Sequence, residues 1–347
     1  MQYKVADIPH KKIWGRCSSV ADELILFWTG SGIELNVRAG HLYADIEAVY
    51  DVLEIWIDVF IDDQRIMHFP LLKGKHRYQL MNGFDSTHAA SIRVVRSTQS
   101  MAESCASVVK ISSFETDGEF VPVKERKFSL EFIGDSITSG EGSFALSREE
   151  WMPTVFDHVS SYTYMTAKIL DADYNIISQS GWGLFASWEG SCECSMQKIY
   201  PYVCAAQNCE ESKALGCMEK WDFTDFETDA VIINLGTNDS SAMKLDIWDE
   251  DEFLEQFMTT GNTFLGDIRK NNPGAKIIWA YGMLGNDMED VIRQIIDTYN
   301  KETGDNVTYL RLPDCSDIHV GARLHPDPEG HRLAAKVLSE YLKEILA

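Results

Sequence analysis

Four short stretches of the chain carry residue types that can perform acyl transfer. Ser136 stands in Gly134-Asp135-Ser136, directly after the apolar, strand-like run from Phe128 to Ile133. Ser180-Gly181-Trp182-Gly183 follows a second such run, and Gly236-Thr237-Asn238-Asp239 follows a third. Leu324-His325-Pro326 stands just before a closing helical segment. A serine hydroxyl attacks a carbonyl carbon when a base takes its proton, and His325, fixed by Pro326 and the helix start, can be that base. The tetrahedral intermediate needs donors for its oxyanion. The backbone N–H groups of Ser136 and Gly181 and the side-chain amide of Asn238 would supply three. A glycine suits this role because a missing Cβ lets backbone approach substrate. Singly, each residue has an ordinary reading: Ser136 a helix cap, Gly181 a turn glycine, Asn238 a residue capping its own turn, His325 a loop histidine. That ordinary reading must hold four times over, in this order, for the chain to be inert.

The elements that must position these residues follow from the hydrophobic pattern. Tyr174 to Ser178, Ala230 to Leu235, Lys276 to Ala280 and Val307 to Leu310 are largely apolar, without a polar face, and read as strands. Between them, Ser161 to Leu170, Glu252 to Ile268, Met288 to Asn300 and Pro328 to Leu346 read as helices. Continuous apolar strands alternating with helices predict a parallel sheet covered on both faces. Loops after such strands share the carboxyl edge of the sheet, where open α/β sheets place their chemistry. Upstream, from about Lys11 to Glu125, short alternating runs such as Ile33 to Val37 and Leu42 to Ile46 predict an all-β sandwich or jelly roll. Val52 to Ile61 reads as a longer strand, with Asp62-Asp63 as a turn into Gln64 to Phe69. Asp117-Gly118, Pro122 and the charged run Lys124 to Lys127 form a linker. The predicted domains are therefore residues 1–125, the sandwich, and residues 126–347, the catalytic domain.

The charge narrows the partners. The 347 residues carry 31 lysines and arginines against 54 acids, a formal charge of −23. Such a surface repels phosphate backbones and anionic lipid, so neither nucleic acid nor membrane is an expected partner. A neutral substrate such as a sugar ester is compatible with it. The first residues hold no apolar core of a secretory signal, and no run is long and apolar enough to span a bilayer, so the expected location is cytoplasmic. Five of the eight cysteines fall between Cys192 and Cys217 at spacings that match no zinc template, and free thiols without a metal are expected.

Gly-Asp-Ser, the lone Gly181, Gly-Thr-Asn-Asp and His-Pro resemble the four blocks of the SGNH (GDSL-type) hydrolases, over about Lys127 to Ala347. Ser180-Gly181-Trp182-Gly183, Ser187-Trp188-Glu189-Gly190, Tyr200-Pro201-Tyr202 and Trp221-Asp222-Phe223, joined to an amino-terminal sandwich, are similar to carbohydrate esterase family 2. The resemblance implies a jelly roll plus a flavodoxin-like three-layer α/β/α domain. It implies removal of acetyl groups from xylan, mannan and related sugars without a cofactor. It also implies a departure: most SGNH hydrolases carry an aspartate three residues before the histidine, where this chain has Ala322. Some family 2 esterases instead use a Ser-His dyad with the imidazole oriented by backbone carbonyls. That version ranks first here; Asp317 and Asp327 are the alternative acids. Asp135 and Asp239 read as residues that bond loop backbone and hold Ser136 and Asn238 in place. His331, in the closing helix, reads as structural, and His158 and His319 have no supporting motif.

Trp182 and Trp188 flank Gly181, and aromatic faces stack on sugar rings, so they are the candidate substrate-binding residues; core packing is the competing role. No long apolar lid of the kind a lipase needs is present, which favours a short acyl group. The expected substrate is an acetylated plant-polysaccharide oligosaccharide, and a homo-oligomer is compatible with the composition. A short-chain lysophospholipase or thioesterase on the same scaffold, or a non-catalytic carbohydrate-binding protein, are the alternatives.

Overall fold

The computed structural model describes residues 1–101, 104–146 and 149–347. They divide into two compact units: Met1–Glu125 with Tyr202–Lys220, and Arg126–Pro201 with Trp221–Ala347.

The first unit is an antiparallel sandwich of two sheets. In one, the order is Cys17–Val20, Glu23–Leu26, Val108–Thr116, His41–Val49, Gly74–Asn82, with Gln2–Lys4 also on Val108–Thr116. In the other it is Glu119–Val121, Gly32–Arg38, Ala90–Arg96, Trp56–Ile61, Gln64–Pro70, with Lys12–Trp14 on Gly32–Arg38. Along His41–Val49 every second residue is buried, the period-two signature of a strand with one face in a core. Leu42, Ala44, Ile46 and Ala48 meet Ile33, Leu35, Val37, Ile57 and Val59 there. Asp62 and Asp63 have φ of +49° and +62°, the backbone of a two-residue hairpin turn, as expected. The strand before them is shorter than the sequence suggests. It begins at Trp56, because Asp51 is held by Ser104 and Cys105 and Val52 lies in the bend that results, 71% exposed.

Residues 202–220 belong with this first unit, whereas the sequence predicts them in the second. Trp28 Nε1–H donates to the Val203 carbonyl at 2.7 Å, and the Ser107 amide to Gln207 Oε1 at 2.8 Å. The five-cysteine stretch is thereby divided: Cys192 and Cys194 lie in the second unit, Cys204, Cys209 and Cys217 in the first.

The second unit holds five strands: β1 (Phe128–Gly134), β2 (Ala172–Ser178), β3 (Ala230–Asn234), β4 (Lys276–Tyr281) and β5 (Thr308–Arg311). Every pairing is parallel and the order is β2-β1-β3-β4-β5, the flavodoxin-like arrangement. β3 is buried along its whole length, as a strand covered on both faces must be. Right-handed crossovers put the helix of the leftward step, α1 (Tyr162–Leu170), on one face, where it packs on the closing helix. Helices α2 (Glu250–Asn271) and α3 (Glu289–Thr303), from the rightward steps, pack together on the other. The closing helix α4 (Pro328–Ile345) starts on Asp327, whose Oδ1 accepts the Gly330 N–H at 2.8 Å. No helix among the described residues is long and apolar enough to cross a membrane.

Candidate active site

The order β2-β1-β3 sets the carboxyl ends of three neighbouring strands side by side. β1 ends at Gly134, β2 at Ser178 and β3 at Asn234, in register as Gly134–Ser178 and Gly134–Asn234 pairs. The residues just beyond these ends are those the sequence singled out.

After β1 the chain turns at once. Asp135 caps the single helical turn Ser136–Ser139 through an Oδ1 that accepts the Ile137 N–H at 3.0 Å. Ser136 is buried apart from its opening to the site, 6% exposed. His325 arrives from a short turn at Ala322–Leu324, and its Nε2 lies 2.7 Å from Ser136 Oγ. Its Nδ1 lies 3.0 Å from the Arg323 carbonyl oxygen. A carbonyl only accepts, so Nδ1 carries the proton and Nε2 faces the hydroxyl as an acceptor. Asp317 is exposed and forms no bond to His325; Asp327 caps α4.

Gly142 makes this approach possible. With φ of +79°, it lies so close to the histidine loop that a Cβ there would stand 2.4 Å from His325 Cβ and 2.7 Å from the Ala322 carbonyl oxygen. The Ala322 N–H donates to the Gly142 carbonyl at 3.1 Å, pinning the two loops.

Beyond β2, Gly181 has φ of +78°, and a Cβ would meet Trp188 Cδ1 at 2.8 Å. The Trp188 N–H donates to the Gly181 carbonyl at 2.9 Å, and the indole is 55% exposed beside that glycine. Trp182 contributes backbone: its carbonyl accepts Asn238 Nδ2 at 3.1 Å. The backbone N–H groups of Ser136 and Gly181 donate to no group among the described residues.

Beyond β3, Asn238 and Asp239 open the helix Thr237–Met243. Asn238 Nδ2 also donates to Asp135 Oδ2 at 3.2 Å, so in the resting site both amide hydrogens are directed at protein oxygens. Asp239 is fully buried and accepts three successive N–H groups of the Gly181 loop: Leu184 at 2.8 Å, Phe185 at 2.9 Å and Ala186 at 3.0 Å. Burial pushes its carboxyl up to about 6, against those three bonds. Burial likewise pushes Asp135 up to about 7, reinforced by the like charges of Asp239 and Glu141. Asp135 holds the Ser136 turn and the Asn238 amide, whereas Asp239, expected to hold its own loop, tethers the Gly181 loop instead; neither acid touches His325.

Glu141 and Arg323 were not found from the sequence. Glu141 is buried between the loops, with Oε2 accepting Ser180 Oγ–H at 2.6 Å and Oε1 accepting Arg323 Nε–H at 2.7 Å. His331 is also buried; its Nδ1 accepts the Tyr162 N–H at 3.2 Å and its ring stacks on Tyr162, a structural role. Burial holds it neutral, with its titration lowered to about 3.

The sequence profile of the GDSL-like lipase/acylhydrolase family matches residues 130–338. A solved acetyl xylan esterase from the rumen bacterium Butyrivibrio proteoclasticus is similar to the whole chain, with a TM-score of 0.95 and 34% identity over 100% of this chain and 98% of that one. An acetylxylan esterase/glucomannan deacetylase of Cellvibrio japonicus is 24% identical over 366 residues, 98% of this chain and 90% of that protein. A cellulase/esterase of Acetivibrio thermocellus is 25% identical over 328 residues; these are 92% of this chain and 37% of that protein, so the chain spans little more than a third of that relative's length.

Proposed function

The chain belongs to the GDSL-like lipase/acylhydrolase family, and we propose that it is a carbohydrate esterase removing O-acetyl groups from xylo- or manno-oligosaccharides. The observation that carries this reading is the Ser136 Oγ to His325 Nε2 distance of 2.7 Å, with Nδ1 fixed on a carbonyl. Ser136 attacks the acetyl carbonyl as His325 takes the hydroxyl proton. The oxyanion is met by the Ser136 and Gly181 N–H groups, and by the Asn238 amide once it releases the Trp182 carbonyl. His325 then hands its proton to the departing sugar oxygen, leaving an acetyl-enzyme. Water, activated by the same imidazole, hydrolyses that ester and restores Ser136.

Sugar selectivity is supported by the exposed Trp188 indole beside Gly181, which offers a face to a pyranose ring. The net charge of −23 suits an uncharged saccharide. The similar proteins named as acetylxylan esterases and a glucomannan deacetylase support the same substrate class, and with it a role in hemicellulose breakdown.

The test is turnover of p-nitrophenyl acetate and, by NMR, of acetylated xylo- and manno-oligosaccharides. Ser136→Ala is expected to lower kcat by about 10⁴-fold or more without loss of fold. Acetyl release surviving that substitution would remove the serine mechanism. A better rate on an octanoyl than on an acetyl ester would replace the sugar deacetylase by a lipid hydrolase.

A further inference from the structure

The histidine has no carboxylate where most relatives of this fold place one, since Ala322 occupies the position. Something must nevertheless hold the Arg323 carbonyl that takes the Nδ1 proton. Arg323 has φ of +55° and ψ of +30°, and Leu324 has φ of +63°. Two consecutive residues with side chains in the left-handed region persist only where the surroundings hold them.

The Arg323 side chain shows what does so. Its Nε–H donates to Glu141 Oε1 at 2.7 Å, and its guanidinium lies 5.2 Å from the centre of the Trp151 ring. Glu141 is the fixed partner: its side chain is 2% exposed against 38% for Arg323. Its own N–H donates to the Ser136 carbonyl at 3.0 Å, and its Oε2 accepts from Ser180, the residue before Gly181. One residue therefore touches the nucleophile's turn, the oxyanion loop and the histidine loop. Its Oε1 is also 3.9 Å from His325 Nδ1.

We propose that Glu141 is the positioning residue for His325, acting through Arg323 in place of the acid absent at Ala322. The ion pair locks the Arg323 backbone so that its carbonyl holds Nδ1–H, and the carboxylate sets a negative charge beside the imidazolium that forms during attack. The proposal rests on the Ser136–His325 reading above.

The charges around His325 give it a directional test. Glu141 and Arg323 face it from the two loops, Asp135 lies in the nucleophile's turn, and the neutral His331 faces it from α4. Glu141→Gln removes the negative charge and leaves the guanidinium, so the imidazolium is disfavoured. The acid limb of kcat/KM for p-nitrophenyl acetate should move to lower pH by about half a unit or more. Arg323→Gln removes the positive charge and leaves the carboxylate, so the limb should move to higher pH. Both should lower kcat, Glu141→Gln by about 10- to 100-fold, with KM within about twofold, because a displaced base slows the chemistry and not the binding.

Opposite movement of the two limbs supports the proposal. Limbs that stay in place, or shift the same way, overturn it whatever happens to kcat, provided Ser136→Ala is inactive. An active Ser136→Ala would instead overturn the dyad reading beneath it. Should Glu141→Gln melt below the assay temperature, Arg323→Gln, a change at a partly exposed side chain, decides alone by the direction of its limb.

Discussion

Asp239 separates what holds the fold from what holds the site. It is fully buried and accepts the Leu184, Phe185 and Ala186 N–H groups at 2.8 to 3.0 Å. In Asp239→Asn, the amide oxygen can keep the two bonds that Oδ1 makes, to Phe185 and Ala186. The NH2 group then faces the Leu184 N–H, donor against donor. A buried donor left unsatisfied costs about 1–3 kcal/mol, and the two retained bonds lose their charge assistance.

The opposing effect comes from ionisation. The carboxyl titrates at about 6 in the fold against an ordinary 3.8. A raised folded value means its protonated form stabilises the fold: the contribution is complete below about pH 4 and is lost as pH rises through 6. Two units are worth about 3 kcal/mol, similar to the lost bond. The amide escapes that cost. At pH 8 the two effects offset and the melting temperatures of wild type and Asp239→Asn should nearly coincide. At pH 5, where the wild-type carboxyl is largely protonated, the variant should melt clearly lower. Activity has no such compensation. With Leu184 untied the Gly181 loop loses one of three tethers, and a donor misplaced by a fraction of an ångström costs about 10- to 100-fold in kcat. The assay is p-nitrophenyl acetate kinetics with thermal melts at pH 5 and pH 8. A kcat within twofold of wild type, together with a melting gap that does not change with pH, would refute the reasoning.

Two further predictions concern the histidine. Asp317→Asn and Asp327→Asn should each keep kcat on p-nitrophenyl acetate within about threefold, since the Arg323 carbonyl, not either acid, holds Nδ1, and asparagine caps α4 as well as aspartate does. A loss of several orders of magnitude in either would identify a hidden acid. Gly142→Ala adds a Cβ 2.4 Å from His325 Cβ at a φ of +79°; it should lower kcat by about 100-fold and the melting temperature as well, and steady-state kinetics with a thermal melt at one pH check both.

The parallel sheet and the four loops were legible because their signals are local. Ala230 to Ile233 is a continuous apolar run and Phe128 to Gly134 is apolar but for Ser129 and Glu131, so their ends could be read, and the residues after them fell on one sheet edge. Ser136, Gly181, Asn238 and His325 arrived at the site because each is anchored to such an end or to a helix start. The Asn238 amide shows the limit of that reading. Its place followed from the strand, but the direction of its hydrogens, toward Asp135 Oδ2 and the Trp182 carbonyl, depends on two other loops. Residues 202–220 show it on a larger scale. They hold one short helix, Glu210–Ala214, and no sequence pattern that ties them to the sandwich; their ties are bonds such as Ser18 Oγ–H to the Leu215 carbonyl, across 197 residues.

Glu141 was illegible for the same reason, and its case bears on how a dyad can replace a triad. In the sequence it is one acid in a run of glycine and serine, with no period and no motif. Its meaning comes from Arg323, 182 residues away, and from Ser180. A triad aspartate does two things: it fixes the imidazole tautomer and it stabilises the imidazolium. This site divides the two tasks. The Arg323 carbonyl, 3.0 Å from Nδ1, fixes the tautomer without any charge. The Glu141 carboxylate, 3.9 Å from the same nitrogen, supplies the charge, tempered by the guanidinium it binds. Because Glu141 is anchored to the nucleophile's own turn through its N–H to the Ser136 carbonyl, the charge is held by the loop that follows Ser136 and not by the loop that carries the base. An acid at position 322 would sit on the base's own loop instead.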